Sequence, residues 1–215
     1  NFILFKTYKL ISYDTHFTKW ILSSGDIVHD KHAIPIINKY LNKNMIVLDI
    51  GANIGTHTIN YLNKCKFVHA FEPHNLSFDC LTYNCSSYNN CKLYNYAVGD
   101  KICNLNLQYS DNVGASYINN NAKDSQVCSC ITIDSLNLEH VDYIKIDIEG
   151  YELNMLNGAK NTLIKFKPII CIEINEGALS RNNITGNDVL KFLLDLGYKI
   201  VDKIGKFPQI DYILK

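Results

Sequence analysis

Val47-Leu48-Asp49-Ile50-Gly51-Ala52-Asn53-Ile54-Gly55-Thr56 is an apolar run that closes on an acid and two glycines. It reads as a strand over Ile46–Ile50 that delivers Asp49, turns sharply, and enters a helix over residues 56–63. Glycine belongs where a backbone bends at positive φ or lies against a ligand. In an open parallel α/β sheet, the crevice beyond such a strand end is where ligands bind. The spacing G-A-N-I-G differs from G-x-G-x-x-G, so the turn lacks the geometry that cradles a pyrophosphate.

Outward from this turn the chain alternates strands and helices, the pattern of a mainly parallel sheet covered on both faces. A second strand, Phe67–Phe71, ends at Glu72-Pro73. Glu72 stands about 20 residues past the turn, where an acid reaches ribose hydroxyls. A ligand with ribose and adenine but no phosphates fits both signals, and S-adenosylmethionine is one; a nicotinamide dinucleotide is disfavoured by the glycine spacing. Asn75 is the expected N-cap of a helix running to Tyr88, followed by a strand over 92–96 that ends at Ala97-Val98-Gly99-Asp100. Residues 101–133 break the rhythm, with alternating segments at 103–109 and 126–133 around an Asn- and Gly-rich stretch, and read as a small inserted β-meander. A strand over 143–148, a helix over 152–165, a strand over 169–174 and a helix over 188–196 capped by Gly197 follow. Segments 198–201 and 210–214 finish the sheet as an antiparallel edge pair, and 33–41 reads as a helix over the cleft. The expected organisation is a single domain, with 1–44 as an N-terminal lid and 45–215 as a Rossmann-like core.

A third signal is Tyr143-Ile144-Lys145-Ile146-Asp147-Ile148-Glu149-Gly150-Tyr151-Glu152. Alternation puts Lys145, Asp147 and Glu149 on one side of their strand, and Glu173 ends the neighbouring one. Such charges are costly to bury unless paired or used. For Glu152, in the first turn of a helix, the helix dipole is nearly as good an explanation as a functional role.

Lys+Arg and Asp+Glu both number 21, and Arg181 is the sole arginine, so the basic excess of a nucleic-acid binder is absent. No apolar run approaches the roughly 20 residues that span a bilayer. The eight cysteines lack zinc-site spacing and fall in apolar patterns, as expected of packed thiols in a cytoplasmic protein. The start at Asn1, with no leader-like segment, suggests a domain from a longer polypeptide.

LDIGANIGTHT, FEP, AVGD, ITIDSL, DYIKIDIEGYELNMLNGA and PIICIEIN occur in that order between Ile46 and Asn175. In these blocks the sequence resembles the FkbM-type family of S-adenosylmethionine-dependent methyltransferases. The resemblance implies the seven-stranded class I sheet and methyl transfer, usually to oxygen, on sugars, macrolides and other small molecules. With a sugar acceptor, the start at Asn1 suggests fusion to other glycan-processing domains. The resemblance further implies that Gly51, Ala52 and Asn53 hold the methionine end of the cofactor, with Asp49 and Gly55 also among the cofactor-binding residues. Glu72, flanked by Phe71 and Pro73, would bind the ribose, Ala97 and Val98 would lie by the adenine, and Asp147 would face the sulfonium or the acceptor. A sugar hydroxyl is a poor nucleophile, so a general base is expected. Asp147 is the first choice, with Glu149 and Glu173 as alternates, Lys145 steadying them, and His29 or His32 of the lid as rivals. No metal is required for alkyl transfer to an alcohol, although the three acids would suit a weak magnesium site. A catalytically silent cofactor-binding module, or transfer to nitrogen or nucleic acid, is the competing reading; the Asn/Asp-Pro-Pro-Tyr/Phe motif of amine modifiers is absent.

Overall fold

The computed structural model describes residues 2–25, 32–123 and 125–215. The chain opens with a hairpin, β1 (Phe2–Phe5) and β2 (Tyr8–Ile11), then α1 (Phe17–Ser24) and the short α2 (Ala33–Ile37), which runs into a 3-10 turn, Asn38–Tyr40. β3 (Ile46–Ile50), α3 (Thr56–Leu62), β4 (Phe67–Phe71), α4 (Asn75–Asn84) and β5 (Cys91–Tyr94) follow. The insertion comprises β6 (Ala97–Val98), β7 (Cys103–Gln108), β8 (Tyr117–Ile118) and β9 (Ser125–Ile131). β10 (Tyr143–Ile146), α5 (Glu152–Gly158), α6 (Lys160–Phe166), β11 (Ile169–Asn175), α7 (Glu176–Ser180), α8 (Gly186–Asp195), β12 (Ile200–Lys206) and β13 (Gln209–Leu214) complete it.

Seven strands form the main sheet in the order β12-β13-β11-β10-β3-β4-β5. The run from β11 to β5 is parallel, and β13 pairs antiparallel with both β11 and β12. The expected edge pair is thus present, as a longer hairpin. The insertion forms its own four-stranded sheet, β6-β9-β7-β8. Strand alternation divides the core: Val47, Tyr143, Cys171 and Ile213 pack under the N-terminal elements, α3 and α4, while Leu48, Ile144, Ile172 and Leu214 pack under α5, α6 and α8. Helices cover both faces, as a parallel sheet requires.

Several boundaries differ from the sequence reading. The helix expected over 152–165 is interrupted at Ala159 (φ −114°, ψ 5°). A Cβ at Gly158 would lie 1.9 Å from the Gly99 carbonyl oxygen, so that close approach to the end of β6 admits only glycine. His74, not Asn75, is the N-cap of α4: its side chain accepts from the Ser77 amide. Helix α4 stops at Asn84, whose side chain instead bonds the Ile54 and Lys9 carbonyls. Thr185 and Asp188 form a reciprocal capping box that starts α8 two residues early. The β1–β2 hairpin, α1 and α7 were not expected at all. No helix among the described residues is long and apolar enough to cross a membrane, and all eight cysteines are free thiols.

Candidate active site

The glycine turn is held against the end of β10. Gly51 has φ 86°, and a Cβ there would fall 1.8 Å from the Asp147 carbonyl oxygen. The amides of Gly51 and Ala52 both donate to the Phe71 carbonyl at 3.0 Å. Glu72 then ties the two loops together: its carboxylate accepts from the Asn53 amide at 2.8 Å and from the His74 amide at 2.8 Å. Burial pushes the Glu72 carboxyl up to about 7, against the pull of those two amides. Each carboxylate oxygen keeps acceptor capacity beyond its one amide, as ribose hydroxyls would need.

These loops wall a cavity of about 430 Å³, within the size class of small-molecule sites. Gly51, Ala52, Asn53, Phe71, Glu72 and Pro73 line it at one end, with Ala97 and Val98 beside them. Asp49 and Gly55, expected on this wall, stand behind it. Alternation turns Asp49 down beneath α3, where it is fully buried and accepts from Thr58 Oγ1 at 2.6 Å. It also stands opposite Lys145 in the β3–β10 register. Gly55 begins α3, and a Cβ there would meet Leu81 at 3.0 Å.

Lys145, Asp147, Glu149 and Glu173 line the same cavity. Lys145 Nζ donates to Asp147 Oδ2 at 2.8 Å. Burial works to lower the Lys145 pKa, but Asp147 and Asp49 outweigh it and hold the ammonium firmly charged. Glu173, which accepts from Gln209 Nε2 at 2.9 Å, is pushed up to about 9 by burial and by repulsion from Asp147 and Asp211. Glu149 rises to about 7 through burial and Asp147, an effect that Arg181 opposes. One oxygen from each of Asp147, Glu149 and Glu173 lies within 4.8 Å of the others. Alternation is not what gathers them: β10 ends at Ile146, and Glu149 has a left-handed backbone (φ 55°). The loop is shaped instead by Glu152, whose Oε1 accepts from the amides of Gly150 (3.1 Å) and Ile148 (3.4 Å). Glu152 is therefore structural, and its position in the first turn of α5 is only part of the reason.

Of the rival bases, His32 is exposed and does not line the cavity, and His29 lies outside the described residues. His57, given no role from sequence, does line it. The sequence reading also missed the roof. Asp14 Oδ1 accepts from the amides of His16 (3.3 Å) and Val113 (3.2 Å), and its Oδ2 accepts from the Thr18 amide at 2.7 Å. Thr15 donates to the Asp111 carbonyl through both its amide and Oγ1 at 2.9 Å. The N-terminal segment and the inserted loop are thereby joined over the cavity. Two polar atoms of that loop, Asn112 Oδ1 and Ser116 Oγ, are buried without a hydrogen-bond partner among the described residues and belong to cavity-lining residues. Buried polar atoms are nearly always satisfied, so these two fit a cavity completed by a polar ligand.

Comparison with known proteins identifies the family and the fold. Residues 49–200 match the family model described as the methyltransferase FkbM domain. AglP, the hexuronic acid methyltransferase of Haloferax volcanii, is 25% identical over 173 residues, covering 78% of this chain and 69% of AglP. The crystal structure of the FkbM methyltransferase from Methylobacillus flagellatus KT superposes with a TM-score of 0.57 at 18% identity, over 79% of this chain. The match spans only 43% of that protein. A methyltransferase-like protein of Streptococcus mutans, solved with S-adenosylhomocysteine, gives 0.52 at 11% identity, over 85% of this chain and 94% of its own. The fold is the Rossmann-like class I methyltransferase fold with a small β insertion.

Proposed function

The chain belongs to the FkbM methyltransferase family, and on that premise we propose that it methylates an oxygen of a sugar or glycan acceptor, with Asp147 as the general base. S-adenosylmethionine is the methyl donor, and when bound it supplies an electrophilic methyl carbon on a sulfonium. Glu72 would hold its ribose, Ala97 and Val98 its adenine, and Gly51, Ala52 and Asn53 its methionine end. Much of the acceleration in such a displacement comes from holding the two reactants in line.

The observation that carries the reading is the Lys145–Asp147 pair at 2.8 Å, set between the glycine turn and the Glu149–Glu173 acids. Lys145 engages Asp147 Oδ2 and leaves Oδ1 for the acceptor hydroxyl. Glu173, protonated up to about pH 9, is a donor at neutrality and can orient that hydroxyl rather than deprotonate it. Glu149, near 7, is the alternate base. A sugar acceptor is supported by AglP, whose substrate is a hexuronic acid.

The test is methyl transfer from S-adenosylmethionine to a panel of glycosides, read by mass spectrometry, with single-turnover rates against pH for Asp147→Asn, Glu149→Gln and Glu173→Gln. Asp147→Asn is expected to lose about 10²–10⁴-fold in rate while retaining cofactor affinity. Normal turnover by Asp147→Asn, with loss in Glu149→Gln, would move the base to Glu149. Methylation of amines or RNA but of no glycoside would overturn the acceptor assignment.

A further inference from the structure

Every cation of this chain but one is a lysine: of 21 Lys and Arg residues, only Arg181 is an arginine. Lysine serves as a point charge wherever a point charge suffices, whereas arginine offers a planar fork that stacks and still donates in-plane. Arg181 follows α7 directly and lines the cavity. Its guanidinium carbon lies 4.1 Å from the ring centroid of Tyr117, so the plane rests on an aromatic face contributed by the inserted sheet. One weak bond, from Nη1 to the Glu149 carbonyl at 3.4 Å, is its only hydrogen bond among the described residues. Guanidinium carries five donors, so most of the fork is unused. Beside Tyr117, the buried Ser116 hydroxyl also lines the cavity and has no hydrogen-bond partner among the described residues.

We propose that Arg181, braced on Tyr117 and assisted by Ser116, clamps the carboxylate of an acidic sugar, so that the acceptor is a uronic acid unit. The inference rests on the sugar-acceptor reading above and adds the group by which the sugar is chosen. A carboxylate matches the fork with two parallel bonds, the geometry that lysine does not provide. The surrounding acids do not forbid an anion. Asp147 is neutralised by Lys145, and Glu173 keeps its proton at neutral pH. Glu149, near 7, carries only part of a charge there. Asp211 also lines the cavity, where it repels Glu173, so the case for an anion rests on the Arg181 fork itself, which meets only the partly charged Glu149 and one carbonyl.

The experiment compares methyl β-D-glucuronoside, methyl β-D-glucoside and glucose 6-phosphate as acceptors for the intact protein and for Arg181→Lys, Arg181→Gln and Ser116→Ala. S-adenosylhomocysteine affinity serves as the check that each variant is folded. The unaltered protein is expected to prefer the glucuronoside over the glucoside in kcat/KM by on the order of tenfold to a hundredfold, the range for charge-assisted hydrogen bonds. Arg181→Gln should abolish that preference chiefly through KM. Arg181→Lys should restore it only in part, and Ser116→Ala should reduce it. Equal use of glucuronoside and glucoside, or a preference that survives Arg181→Gln, overturns the clamp and leaves the sugar reading standing. Faster transfer to glucose 6-phosphate than to the glucuronoside overturns the carboxylate. No transfer to any of the three by protein that binds S-adenosylhomocysteine defeats the sugar reading and the clamp with it.

Discussion

At the scale of single residues, Glu72 does more than its position in the sequence indicated. The FEP block marked it as a ribose acid; it lines the cavity, and its carboxylate also accepts the Asn53 and His74 amides. Glu72→Ala is expected to weaken S-adenosylhomocysteine binding by about 1.5–3 kcal/mol, the range for hydrogen bonds to a charged group. It should lower Tm as well, because two amides lose their partner. Calorimetry and a melting curve on Glu72→Ala and Glu72→Gln check this; unchanged affinity in a folded Glu72→Ala returns the residue to a purely structural role. Lys145, Asp147, Glu149 and Glu173 were legible because charges are conspicuous in apolar strands. Arg181, Asp211 and Gln209 were not, because each comes from an element whose placement sequence periodicity cannot give. Asp49 was legible as an acid but misplaced, since a strand residue one step before the turn points into the sheet face and not over its edge.

At the scale of elements, parallel strands and their helices were read to within a few residues, because a two-residue alternation and glycine turns bound them sharply. The β1–β2 hairpin and α1 escaped notice: β1 has exposed and half-buried positions without a clean pattern, and the packing partner of β2 is α4, far along the chain. Helix α5 breaks at Ala159 because its end must pass the Gly99 backbone, a tertiary demand with no local signature beyond Gly158 itself. The turn after β3 carries the sharpest test. With φ 86° and the Asp147 carbonyl where a Cβ would go, Gly51→Ala must displace the loop that bears the acids. Expected outcomes are a stability loss of at least roughly 1–3 kcal/mol from the strained backbone, seen as a lower Tm, and loss of cofactor binding. A Gly51→Ala protein that melts normally and binds S-adenosylhomocysteine normally would show that this close approach is not required.

At the scale of the whole molecule, the sheet was legible and the roof was not, since the roof is built from two segments nearly a hundred residues apart that meet at Asp14. The buried acids give the molecule a pH signature. Glu173 is raised from the ordinary 4.5 to about 9, so the native state holds a proton that the unfolded chain releases. That stability is complete below the ordinary carboxyl value and is lost as pH climbs through 9. His69 and His74, lowered to about 4 by burial, act oppositely and add stability up to their ordinary 6.5, so the Glu173 effect is cleanest between about pH 7 and 9. Tm of the cofactor-free protein is expected to fall across that window, and to fall less in Glu173→Gln. Parallel slopes for the two proteins would assign the loss to other groups.

Asp14 also has a temporal consequence. One carboxylate holds the start of α1 and the inserted loop together, so the two segments are expected to lift as one when a ligand passes beneath them. Asp14→Asn, which retains one acceptor oxygen, should hasten S-adenosylhomocysteine departure in stopped-flow and raise amide exchange at Thr18 and Val113 together. Exchange that rises at only one of the two would mean that the segments breathe separately, and the clock would have to be sought elsewhere in the protein.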